Sequence, residues 1–185
     1  MPKNCSAQEK LFETAQAEDD PRSLILAATR IIEHAGQVLQ EKGSEPIPAA
    51  RAILQIVRDW LRDGCEEMSQ FEEFEAPIIS FASADESTPE AWSHYLSCCH
   101  LAHMLREHIE QDFTRPAQRL CWAALEARNA IAYVLAGRSL ASAEHDICWN
   151  EEAVWQLACL EETLSPRVAD GTRLRNSLLA SRADA

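Results

Sequence analysis

Lysine and arginine are absent from the whole stretch between Arg62 and Arg106, and absent again between Arg138 and Arg167. A surface without cations over such lengths has nothing to neutralise phosphates with, so these segments exclude nucleic acid and anionic lipid as partners. Glycine is scarce, and the five present (Gly36, Gly43, Gly64, Gly137 and Gly171) stand alone. No glycine-rich loop can therefore cradle a phosphate, and nucleotide binding has no support. Alternating β-branched runs are missing, which argues against a sheet. No apolar run approaches the roughly 20 residues that a membrane span needs. Residues 1–10 contain no apolar core of a leader, so no secretory signal is expected. The seven cysteines are odd in number and include no CxxC pair. They are expected to be reduced thiols in the cytoplasm, most of them acting as small core hydrophobes.

What fills the cation-free stretches is carboxylate. The first holds Asp63, Glu66, Glu67, Glu72, Glu73, Glu75, Asp85, Glu86 and Glu90; the second holds Glu144, Asp146, Glu151, Glu152, Glu161 and Glu162. They carry −9 and −6 against a net charge of −13, so the rest of the chain is close to neutral. Segregation of this kind places a negative field over part of the surface, and such a field steers basic partners.

Local signals predict an all-α fold of about seven or eight helices, as a single-domain bundle or a short array of helical hairpins. The expected helical domain spans residues 1–166, with residues 167–185 an arginine-bearing tail, a loose helix or disordered. With 185 residues and 46% hydrophobic content, the chain can build a core without metal or disulfide staples. Ser6 and Glu9 have the spacing of a capping box. Asp20 precedes Pro21 as cap and first helical residue of a helix with an apolar stripe from Leu24 to Leu39. A second stripe runs from Ala49 to Leu61 and stops at Gly64. A short acidic helix is expected over 65–75, followed by a loop from Ala76 to Ser87. Thr88 and Pro89 restart a long helix, and Thr114 caps the next, which runs to Gly137. Ser139 is expected to open a shorter helix and Asn150 to cap a last one, with Val154, Leu157, Ala158 and Leu160 as its apolar stripe. Leu24, Ile31, Val57, Trp92, Leu105, Ile131 and Val134 are expected to be buried.

Chemistry-bearing motifs are few. No GxSxG turn, HExxH or ExxH is present. The one dense set of ligand types lies from His94 to His108, where His94 with Cys98, and Cys99 with His103, form i,i+4 pairs on one helix. A tetrahedral ion would need further donors from another helix; the plainer account makes these histidines flank a core stripe. Five tryptophans fall in predicted helices, where packing is the default. Trp149 and Trp155 differ in lying beside Glu151 and Glu152, a composition suited to an arginine-rich partner surface; a half-buried place at a helix start accounts for them equally well.

These features point to an acidic protein-binding module whose partner surface comprises Glu66, Glu67, Glu72, Glu73, Glu75, Trp149, Glu151, Glu152 and Trp155. Its partner is expected to be a basic protein. The most concrete version is an inhibitor or immunity-type protein that neutralises, for example, a nuclease toxin. No catalytic residue and no cofactor are expected. Two rivals stand beside this reading: a metal-binding bundle acting as enzyme or sensor through His94, Cys98, Cys99 and His103, and a homo-oligomeric helical scaffold without a separate ligand.

Overall fold

The computed structural model describes residues 6–64, 88–111, 115–136 and 146–164. Of these residues 87% are helical and none forms a strand. The helices are α1 (Ala7–Gln16), α2 (Pro21–Glu41), α3 (Pro48–Asp63), α4 (Pro89–Ile109), α5 (Pro116–Ala136) and α6 (residues 146–164). The all-α class is as expected, with six helices among the described residues rather than seven or eight. The acidic helix predicted over 65–75, the cap at Thr114 and the tail from 167 fall outside the described residues.

Helix starts follow the local chemistry. Ser6 accepts the Glu9 amide on its hydroxyl at 3.3 Å and donates its own amide to the Glu9 carboxylate at 2.7 Å. Asp20 accepts the amides of Arg22 and Ser23 and the Ser23 hydroxyl, and Pro21 supplies a preset φ where no amide partner is required. Thr88 caps α4 by accepting the Ala91 amide. Gly64 stops α3 by taking the left-handed conformation at φ 65°, where its amide closes on the Trp60 carbonyl.

α6 departs from expectation at its start. Asn150 does not cap it; the chain is already helical at 146, and the Asn150 Nδ2 donates to the Asp146 carbonyl one turn back. A side chain that reaches back along a turn cannot accept an amide at a helix start. The helix runs unbroken over 146–164, with Asn150 inside it, and Ser139, expected to open a shorter helix, lies outside the described residues.

The core is built around α4 and α5, which make the most extensive contact, with α2 packed on both. α3 lies on α4 and α2, and α1 on α5. α5 can approach closely because Ala117, Ala123, Ala124, Ala127 and Ala130 are all buried on its inner surface. α4 buries more than one stripe, including His94, Tyr95, Cys98, Leu101, Met104 and Leu105, as a helix enclosed by neighbours must. Leu24, Ile31, Val57, Leu105 and Ile131 are buried as predicted, while Trp92 and Val134 are only half-buried. Among the described residues no helix is long and apolar enough to cross a membrane.

α2 and α4 meet at Gly36, where an added Cβ would stand 3.0 Å from the His94 Nε2. The imidazole is buried and bonded to the Ile32 carbonyl at 3.2 Å, so swinging it aside would break that bond. Gly36→Ala should therefore force the two helices apart and lower stability by about 1–3 kcal/mol, read from urea unfolding midpoints.

Candidate functional site

α6 presents two faces of opposite character. Turned towards α2 and α5 are Glu152, Ala153, Gln156, Cys159 and Leu160, all buried, with Trp149 partly so. Trp149, Gln156 and Glu152 each reach a group on the body. Trp149 donates its indole N–H to the Asn129 Oδ1 at 3.2 Å, and Gln156 donates to the Ala124 carbonyl at 2.9 Å. The Glu152 Oε2 lies 3.4 Å from the His34 Nε2. Farther along, Arg30 on α2 ties down the helix through Glu162 and the Thr163 hydroxyl.

Arg128 of α5 sits beneath this face, 1% exposed, with its guanidinium 4.3 Å from the centre of the Trp149 ring. The ring's negative face compensates part of the lost hydration. Burial pushes the guanidinium pKa down; the Glu152 carboxylate acts the other way. No carboxylate among the described residues comes within ion-pair distance of it, and its Nε and Nη1 make no hydrogen bond. Glu152 Oε1 and Gln156 Oε1 are likewise buried and unpartnered. Sequence reasoning passed over Arg128, because one arginine in an alanine-rich helix carries no local mark of burial.

The outward face is mixed apolar and acidic. Val154 is 61% exposed and Ile147 57%, the highest values for large apolar side chains among the described residues. Trp155 is 38% exposed and stacks on the His34 ring at 4.0 Å, which fixes its orientation. Glu151, Ala158 and Glu161 are exposed on the same side, and Glu151 has no ion pair among the described residues.

The predicted partner surface is therefore divided. Glu151 and Trp155 lie on the outward face. Glu152, 7% exposed, and Trp149 are turned inward, because Trp149, Glu152 and Gln156 follow at steps of three and four along the side that packs on the body. Conversely Val154 and Ala158, expected in the core, face outward. The seven-residue interval from Ile147 to Val154 was the available sign of a second apolar face. Glu66, Glu67, Glu72, Glu73 and Glu75 lie outside the described residues.

The histidine helix is more deeply packed than predicted. His94 belongs to the core rather than to its flank, and burial pushes its pKa down to about 4. Cys98 is fully buried and its thiol pushed up, as is that of half-buried Cys99, which disfavours the thiolates an ion would require. His103 is only partly buried. His100, at about 4, is lowered by burial and then by Arg119 and His103. Among the described residues no three His, Cys, Asp or Glu side chains gather as a metal ion requires. The described cysteines are free thiols, with Cys98 and Cys159 buried.

Comparison of the chain with protein-family models, curated proteins and solved structures gave no match.

Proposed function

We propose that the protein is an acidic binding module that captures a basic protein through the outward face of α6. The observation that carries this reading is the exposure of Ile147, Val154 and Trp155 beside the unpaired Glu151, in a segment that holds no lysine or arginine from Ser139 to Pro166. Exposed apolar side chains supply the desolvated centre of a contact, and the carboxylates around them draw a cationic surface into register. Trp155 is already oriented by His34, so little rotamer freedom is lost when it becomes an anchor. In its narrower form the module is a cytoplasmic inhibitor that covers the cationic site of a nuclease or similar protein.

Capture of partners from the native host at low and high salt provides the direct test, since steering by exposed charge weakens as salt screens it. With the partner in hand, Glu151→Lys combined with Glu161→Lys should slow association roughly tenfold and flatten its salt dependence. Trp155→Ala should act mainly on dissociation. Circular dichroism should show the charge-reversed chain folded, because exposed charges add little to stability. An unchanged association rate at low salt sinks the proposal.

A further inference from the structure

The spacing of the exposed residues on α6 points to the form of the partner. Ile147, Glu151, Val154, Ala158 and Glu161 are all exposed and follow one another at steps of four, three, four and three. Together they form one continuous helix face with the 3.5-residue spacing that a helix–helix seam uses, and it runs for about 21 Å along α6 at 1.5 Å per residue. On α6 this seam is open to solvent, while the opposite face is the one that holds the body.

We infer that the basic partner presents an amphipathic helix that lies along this seam, with apolar side chains against Ile147 and Val154 and a lysine or arginine against Glu151. The inference rests on the binding reading above and specifies its partner. Charge decides between the candidates for the seam. A second copy of α6, in any register or direction, can set only Ile147, Glu151, Val154, Ala158 or Glu161 opposite Glu151. None of these is basic, so self-pairing would enclose the carboxylate against an apolar group or another carboxylate. A basic helix encloses it against its counter-charge, and the charged seam positions then set the register.

The probe is a labelled three-heptad peptide with leucines facing Ile147 and Val154 and arginines facing Glu151 and Glu161. The control is a peptide of identical composition whose leucines alternate at the two-residue period of a strand. Fluorescence anisotropy with the full chain should show the helical peptide binding at least about tenfold more tightly than the control. Val154→Asp, at an exposed position that leaves folding intact, should remove the difference. Glu151→Arg should weaken the arginine peptide and be rescued by a peptide carrying glutamate at the facing position, a result that general attraction of opposite charges along α6 does not produce. Equal binding of the two peptides overturns the helical seam and leaves the basic-partner reading standing. No binding of either at low salt overturns both. A concentration-dependent dimer that Val154→Asp abolishes assigns the seam to a second copy and also overturns the inference.

Discussion

Arg128→Met should lower the stability of the chain by about 3 kcal/mol, and adding Glu152→Gln should recover at least half of that loss. The two residues bear opposite charges on facing sides of the α5–α6 contact, and both are almost wholly removed from water. They do not form a direct ion pair, yet the Glu152 charge acts on Arg128 against the effect of burial. Methionine keeps most of the volume while removing the guanidinium that faces the Trp149 ring, so the loss reports mainly on the charge. What remains in the single variant is a buried carboxylate with one unpartnered oxygen, facing only the His34 ring at 3.4 Å, and that imbalance dominates. Glutamine at 152 removes the charge while retaining a polar group near His34. Urea unfolding of the parent, both single variants and the double variant closes the cycle. Strictly additive losses would mean that Arg128 and Glu152 do not compensate each other.

Acidification should destabilise the fold between about pH 6.5 and 4, in large part through His94. Its Nε2 faces the Ile32 carbonyl, which can only accept, so the neutral ring carries its proton there. A second proton would go to Nδ1, which is buried and has no hydrogen-bond partner. The folded pKa therefore falls from 6.5 to about 4, chiefly by burial. Over that interval the unfolded chain binds more protons than the folded one. The contribution of the neutral ring is fully present above the unfolded value and is lost as pH falls towards the folded value. The shift corresponds to roughly 3 kcal/mol. His100, also lowered to about 4, adds to the same slope. His94→Gln keeps a donor for the Ile32 carbonyl but cannot titrate, so its stability should decline less steeply across this range. Parallel pH profiles for parent and variant would remove His94 as the cause. His94→Ala should cost about 2–4 kcal/mol at neutral pH, unlike the tolerance expected of a flanking histidine.

Helix boundaries were the most legible feature of the chain, because a cap is a contact among near neighbours. Ser6 with Glu9, Asp20 with Pro21, Thr88 with Pro89, and Gly64 each act through bonds to amides or carbonyls within four residues. Asn150 failed for a related reason: the same amide can accept forward at a helix start or donate back within a turn, and only the surrounding chain decides which. Half of the candidate face was legible as well. Glu151 and Trp155 were singled out by composition, but Glu152 and Trp149 came with them, because composition does not tell adjacent residues apart.

Sequence alone determined the helical class, the starts of α1, α2 and α4, the stop of α3 and the concentration of acid in two stretches, since propensity, capping and charge belong to local runs of residues. The placement of His94 in the core, the burial of Arg128 under Trp149 and the division of α6 into two faces were decided only by tertiary structure. An amphipathic period says that a helix has a side to bury, but α6 offers apolar residues on both: Ala153 and Leu160 on one, Ile147 and Val154 on the other. The choice between them came from distant groups. His34, Ala124 and Asn129 engage the face that bears Glu152, Gln156 and Trp149, and Val154 is left to the solvent side because the bonds that hold α6 to the body are made elsewhere on its surface.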